Sequence, residues 1–185
     1  LPSAMGEGEF LCHIHSLARQ NELFDNYIGL GYYGTETPAV ILRNVFENPV
    51  WYTSYTPYQA EISQGRLEAL FNFQTMVCDL TAMPLSNCSL LDEATAAAEA
   101  MTMMFRLRSK NLQKEGVATL LVDENLFPQT LSVLKTRALS QDIELLITDV
   151  ASFQFDTPIF GAVVQYPDAN GNIRDYREFC SKCHD

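Results

Sequence analysis

Basic residues are scarce in this chain. Twelve lysines and arginines stand against 23 aspartates and glutamates in 185 residues, a formal net charge of −11 at pH 7. That balance argues against nucleic acid, because phosphate contacts need a Lys and Arg surface. Acidity of this kind keeps a surface hydrated and points to no particular substrate. No run approaches the roughly 18 apolar residues that a membrane-spanning helix needs. The opening Leu1-Pro-Ser-Ala-Met-Gly-Glu-Gly-Glu has no basic stretch followed by an apolar one, so it does not read as a secretory signal. Its lack of an initiating methionine suggests a trimmed or excised segment. Five cysteines, without disulfide-scaffold spacing, fit a reducing compartment. No Gly-x-Ser-x-Gly, phosphate-binding loop or catalytic triad can be picked out.

What is present is ordinary globular material. The chain is 47% hydrophobic and 19% charged, and it is long enough to bury a core. Phe10, Leu11, Ile14, Leu17 and Ala18 recur at helical steps and predict a helix over 6–26. Gly29, Gly31 and Gly34 then break regularity, and Pro38 biases Thr37 to an extended conformation. A short helix is expected over 40–46, stopped by Asn48-Pro49. The aromatic stretch Trp51, Tyr52, Tyr55, Tyr58 is interrupted by Pro57 and reads as an ordered loop or extended arm. The longest helix candidate, 61–81, carries Leu67, Leu70, Phe71, Phe73, Met76, Val77 and Leu80, which predicts that most of its surface is buried. Beyond a helix over 92–109 the pattern changes to β-rich runs at 117–122, 143–148 and 160–165. A helix over 128–140 separates the first two. Strand–helix–strand at that spacing predicts a parallel sheet. Residues 174–184 read as a final helix. The division expected is an arm with a glycine-rich loop over 1–60 and an α/β region over 61–185.

One run, from Ser86 to Met101, is a loop that becomes a helix at a single point. Asp92 is a good N-cap, Glu93 sits in the first turn, and Ala94, Ala96, Ala97, Ala98 and Ala100 have the highest helix propensity. Small side chains there let a phosphate reach the helix N-terminus, or let the helix lie close on a sheet. The residues alone leave both open.

The surrounding words arrive in a fixed order: Gly29-Leu-Gly-Tyr-Tyr-Gly-Thr-Glu-Thr-Pro38, Ile41-Leu-Arg-Asn44, Glu47-Asn-Pro49, Trp51-Tyr-Thr53, Tyr55-Thr-Pro-Tyr-Gln59 and Ser63-Gln-Gly-Arg-Leu-Glu-Ala-Leu70. This succession resembles the P-protein family of the glycine cleavage system, the pyridoxal-phosphate-dependent glycine dehydrogenases (decarboxylating). It is dense from Tyr27 to Met104. It continues more loosely through Leu121-Val-Asp123, Pro128-Gln-Thr130, Val164-Gln-Tyr-Pro167 and Asp175-Tyr176. The resemblance implies part of a fold type I, aspartate-aminotransferase-like large domain, a three-layer α/β/α arrangement behind a helical arm. It implies an oxidoreductase that decarboxylates glycine with pyridoxal phosphate and passes the aminomethyl group to the lipoyl arm of H-protein. The partners implied are a C-terminal half or a second P-protein subunit, and H-protein, in an oligomer without nucleic acid or membrane. The compartment implied is the bacterial cytoplasm or the mitochondrial matrix.

The family joins its cofactor to a lysine in its C-terminal half, within an Asn-Leu-His-Lys-Thr-Phe-like segment. This chain has four lysines, Lys110, Lys114, Lys135 and Lys182, none in such a context. Lys135 lies between Leu134 and Thr136-Arg137 in an amphipathic helix pattern that predicts a solvent-facing ammonium. No catalytic residue is therefore expected in this segment, which should be inactive alone. The alternative is a non-catalytic assembly subunit pairing with a separate cofactor-carrying chain.

On the resemblance, Tyr32, Tyr33, Thr35 and Thr37 line the path of glycine or the aminomethyl-lipoyl group, where the halves of the enzyme meet. Glu36 departs from the usual word. Arg66 packs against a partner half or contacts a carboxylate such as that of glycine. Ser89, Asp92, Glu93 and Thr95 fall where an active half cradles the cofactor phosphate. The front half of the family reads as a silent copy that keeps only the architecture. Cys180-Ser-Lys-Cys-His184 spells a haem-attachment motif, but the resemblance places an ordinary amphipathic helix there. Cys12-His-Ile-His15 invites a metal reading with Cys180 and Cys183, yet histidines two apart on a helix point away from each other. No metal site is expected.

Overall fold

The computed structural model describes residues 3–52 and 65–184. The chain divides into two compact units, Leu1–Glu36 and Thr37–Asp185. The expected boundary between residues 60 and 61 lies outside the described residues, as do Tyr55, Pro57, Tyr58 and the first four positions of the helix expected from 61.

The first unit carries α1 (Glu7–Ala18). This helix is shorter than the periodicity predicts. Asn21 ends it by donating both its backbone N–H (3.2 Å) and its side-chain Nδ2 (3.1 Å) to the carbonyl of Ala18. Asparagine competes with the helical ladder in this way, which hydrophobic spacing does not register. A tight turn follows at Gly29–Tyr32, closed by Tyr32 N–H to Gly29 O at 2.9 Å. Leu30 and Gly31 at its centre both take positive φ, 56° and 90°, the geometry of a type I′ turn.

The second unit opens with α2 (Ala39–Ile41), which widens into a π-helical turn over Leu42–Phe46. α3 (Pro49–Tyr52) follows, so Trp51 and Tyr52 are helical rather than loop or extended arm, because a proline suits the first turn of a helix as well as the end of one; then comes α4 (Gly65–Thr81). The expectation that α4 is mostly covered is not met. Phe71 (60%) and Leu80 (78%) are exposed, as are Leu67, Phe73 and Met76. Apolar composition records that a helix needs covering; it does not say that the cover lies in the same stretch of chain.

Beyond it the α/β pattern appears as expected. α5 (Glu93–Leu107) starts at Asp92, whose carboxylate accepts from Thr95 N at 2.7 Å. α6 (Lys110–Lys114) starts at Ser109, which accepts from Leu112 N. It stops at Gly116 (φ 70°), where Gly116 N–H reaches Gln113 O and Val117 N–H reaches Leu112 O at 2.9 Å. This paired closure requires a left-handed residue and turns the chain directly into a strand. β1 (Thr119–Asp123), α7 (Pro128–Leu139), β2 (Glu144–Thr148), a 3₁₀ turn over Val150–Ser152 and β3 (Gly161–Val163) follow, then α8 (Arg177–His184).

The strands form a parallel sheet in the order β2-β1-β3, with Leu121 opposite Leu146 on one side and Ala162 on the other. Leu120 and Val122 share one face of β1 and pack with Ala98 and Met101 of α5 and Leu134 and Ala138 of α7. The side-chain period of two puts Leu121 and Asp123 on the opposite face; both are buried. α5 approaches β3 so closely that a Cβ on Gly161 would sit 2.6 Å from Met104 Sδ. Among the described residues no helix is long and apolar enough to cross a membrane.

Candidate functional site

In a parallel sheet all strands end on the same side, and the helices that follow begin there, so polar groups collect at that edge. Here a cavity of about 200 Å³ lies at that edge, lined by Glu93 and Ala97 of α5, Leu126, Phe127 and Thr130 around the start of α7, and Val163, Val164 and Gln165 after β3. Gln165 fixes the cavity wall by accepting from Phe127 N–H at 2.9 Å, while its Nε2 donates to Pro167 O at 3.1 Å. Among the described residues, the only formally charged side chain lining it is Glu93.

Beside the cavity a polar network ties the strand ends together. Asp123 closes β1 and is 1% exposed. It accepts from Asn125 N and Nδ2, both at 3.0 Å, and from the Tyr176 hydroxyl at 3.3 Å. Asp149, just beyond β2, accepts from Arg174 Nη1 at 2.6 Å. Asp168, 3% exposed, accepts from Asn170 N, Asn172 N and Asn172 Nδ2, with Arg174 Nε at 3.8 Å. Asn170 reaches back to Asn125 at 3.1 Å. One guanidinium thus serves two strand ends, and the loop carrying it closes over the third.

The electrostatics follow from that geometry. Arg174 and the Ala151 N–H hold the Asp149 carboxyl below its ordinary range. Burial pushes Asp168 up, but the hydrogen bonds from Asn172 and Asn170, helped by the charge of Arg174, outweigh it and leave the group lowered. Burial, then the neighbouring Asp123, push the Tyr176 phenol up. Asp92 is lowered, first by the Thr95 N–H and then by the Thr95 hydroxyl. The α5 N-terminus therefore already holds an anion, its own cap.

The expected site residues distribute unevenly. Asp92, Glu93 and Thr95 come together at the start of α5, and Thr95 Oγ1 donates to Asp92 Oδ2 at 3.0 Å. Ser89 precedes them in the loop, exposed and with φ of 63°. Tyr32, Tyr33 and Thr35 belong to the first compact unit and Thr37 to the second. Both tyrosine rings are exposed, Tyr33 at 72%, and the carbonyl of Tyr32 accepts from Asn26 Nδ2 at 2.9 Å. Arg66 lies half-buried in the first turn of α4, its Nη1 shielded from solvent without a hydrogen-bond partner among the described residues.

Asp123, Asp149, Asp168, Arg174 and Tyr176 were not anticipated as a group. A signal for them exists in the sequence: an aspartate follows each of the three β-rich runs, at 123, 149 and 168. Parallel pairing turns those three separated positions into neighbours along one edge.

The family model described as glycine cleavage system P-protein matches residues 1–185. A glycine dehydrogenase (decarboxylating) from Bacteroides fragilis strain YCH46 is 65% identical over 184 residues, covering 100% of this chain and 19% of the relative. The mitochondrial glycine dehydrogenase (decarboxylating) of Dictyostelium discoideum is 50% identical over 180 residues, 97% of this chain and 18% of that protein. A crystal structure of glycine decarboxylase (P-protein) of the glycine cleavage system, in inhibitor-bound form, superposes with a TM-score of 0.77 at 28% identity, over 100% of this chain and 42% of that one. The chain thus spans about a fifth of the length of the curated relatives it matches. With the parallel sheet and the capped helix on its strand-end edge, the chain belongs to the glycine cleavage system P-protein family.

Proposed function

We propose that this chain forms one wall of a glycine-decarboxylating P-protein and leaves the covalent chemistry to sequence it does not contain. In the whole protein, pyridoxal phosphate would act as electron sink while carbon dioxide leaves glycine, and the aminomethyl group would pass to the lipoyl arm of H-protein. The residues present here do not fit that cofactor. A phosphate at the α5 N-terminus would meet the Asp92 carboxylate, which already takes the Thr95 N–H, and then Glu93. Among the described residues, no lysine, arginine or histidine lines the cavity to offset those charges. Lys110, Lys114 and Lys135 are exposed, and Lys182 is paired with Glu178 at 2.7 Å. A lysine that forms an adduct with an aldehyde needs a desolvated or cationic setting to lower its pKa. No step is assigned to the cofactor on this segment.

The observation that carries this is the self-capped, acidic start of α5. What the chain itself supplies is placement. α5 and α7 packed on the sheet make a rigid wall, and the Asp149–Arg174–Asp168 group pins the strand ends. Tyr32, Tyr33, Thr35, Thr37 and Arg66 are assigned to the substrate path, with Arg66 offering to a carboxylate an Nη1 that has no hydrogen-bond partner among the described residues. The exposed apolar face of α4 is assigned to contact with the remainder of the protein. A second arrangement, in which that remainder is a separate chain, draws support from the solved relative: this segment fills 42% of it but only 19% of the Bacteroides protein. The compartment then follows the host, bacterial cytoplasm or mitochondrial matrix.

The test has two arms. The segment incubated with pyridoxal phosphate and reduced with borohydride should yield no adduct on any of its four lysines by peptide mass spectrometry. Carboxyl-labelled glycine should release carbon dioxide only when the remaining P-protein sequence and H-protein are added. A reduced adduct on Lys135, or turnover by the segment unaided, would overturn the assignment.

A further inference from the structure

The cavity at the strand-end edge carries polar groups that the P-protein reading does not use. Thr130 shares a face of α7 with Leu134 and Ala138, since the three follow one another at steps of four. Leu134 and Ala138 pack into the core on the sheet. Thr130 sits in the first turn, beyond the strand ends, and borders the cavity instead. It is 7% exposed, and among the described residues neither its hydroxyl nor its backbone N–H has a hydrogen-bond partner. That N–H is one of the first-turn donors a helix cannot pair internally, and buried donors are ordinarily satisfied. Glu93 stands next to this turn, its Oε1 accepting from Gln129 Nε2 at 3.5 Å. Among the described residues its carboxylate forms no ion pair. The remaining walls are the apolar Ala97, Leu126, Phe127, Val163 and Val164, and Gln165, whose amide is committed to Phe127 and Pro167.

We propose that this cavity binds a neutral aliphatic α-amino acid as its zwitterion, which presupposes that pyridoxal phosphate stays out of it. The charges select the ligand. A lone carboxylate or a phosphate would reach the donors of Thr130 but face the Glu93 carboxylate with no cation to offset it. An amine alone would pair with Glu93 and leave both Thr130 donors bare. A zwitterion satisfies both ends. Its carboxylate accepts from the Thr130 N–H and hydroxyl at the start of α7, where the helix dipole favours an anion. Its ammonium donates to Glu93, a charge-assisted bond. The volume selects the side chain. A cavity of about 200 Å³ exceeds the roughly 150 Å³ that accommodates benzene, so it has room for an aliphatic side chain against Phe127, Val163 and Val164. Glycine would leave those walls uncovered and gain nothing from them.

The experiment is equilibrium dialysis of labelled L-leucine against the whole P-protein that contains this segment, loaded with pyridoxal phosphate. Leucine should bind and leave the cofactor absorbance unchanged. A ligand series needs no substitution: 4-methylpentanoate and isopentylamine, each keeping one end of the zwitterion, should compete at least about tenfold more weakly than leucine, and so should glycine. Thr130→Val keeps the shape and removes the hydroxyl; it and Glu93→Gln should each weaken leucine about tenfold. Glu115→Gln, at the end of α6 and not in the cavity wall, should match wild type. Leucine uptake by cofactor-free protein and not by the loaded form would support the cavity as a zwitterion site and overturn the exclusion of pyridoxal phosphate from it. Uptake by neither form, a changed cofactor absorbance, equal competition by the acid or the amine, or undiminished binding in Thr130→Val or Glu93→Gln would sink the proposal.

Discussion

Leu134→Ala tests whether the α5–α7 wedge is what holds the strand-end cavity in shape. Leu134 is 0% exposed and sits in the cluster with Ala98, Met101, Leu120 and Val122. Truncation removes three buried carbons, and the neighbours on two helices and a strand cannot all collapse into the space. Leu→Ala at such sites costs about 3 kcal/mol, within a range of roughly 2–5. With a urea dependence of about 2 kcal/mol per M, that lowers the unfolding midpoint by about 1.5 M. The control lies on the same helix: Leu139 is 82% exposed, and Leu139→Ala should change stability by less than about 0.5 kcal/mol. Leu134→Met keeps the volume and should cost less than about 1.5 kcal/mol. The assay is urea unfolding of the 185-residue chain followed by circular dichroism. Losses below about 1 kcal/mol for Leu134→Ala, or equal losses at 134 and 139, would refute the packing account.

Five further outcomes are expected. Tyr176→Phe removes the hydroxyl that donates to buried Asp123 and should cost about 1–2 kcal/mol in the same assay; no change would mean that contact carries no stability. Asp149 and Asp168 titrate below their ordinary value of 3.8 when folded, so the unfolded chain binds their protons more readily. Their stabilisation is complete above about pH 4 and is lost as pH falls through the folded values, and an acid limb unchanged in Arg174→Met would contradict this. Tyr176 is raised and acts with the opposite sign: its contribution holds below pH 10.0 and disappears as pH rises through the folded value, a limb absent from Tyr176→Phe. Gly161→Val should destabilise more than Gly161→Ala, since a first carbon already meets Met104 Sδ. The isolated segment should self-associate and bind an apolar dye through Phe71 and Leu80, so a clean monomer without dye binding at high concentration would contradict the assignment of α4 to an interface.

Much of the architecture was legible because it is local. The cap at Asp92, the proline at the start of α7 and the β-rich runs each act within a few residues, and the elements they govern formed close to their expected places. Other expectations failed, one to a local side-chain bond and one to a need that is not local. α1 stops at Ala18 because one asparagine side chain outcompetes the ladder, an event that apolar spacing cannot register. α4 is exposed because apolar composition states a need for cover without saying which residues meet it.

The site divides along the same line. Which residues start α5, and that its first turn is acidic, are properties of a short word in the sequence. That this turn already holds its own carboxylate, so that a phosphate would meet negative charge, follows from the same word once its geometry is known. The Asp123, Asp149, Asp168 and Arg174 group is different. Its members lie up to 51 positions apart, and no local preference relates them. Parallel pairing alone brings three strand ends to one edge, because each strand must return through a crossover before running in the same direction. Sequence decided the elements and the chemical character of their ends; tertiary structure decided which ends became neighbours.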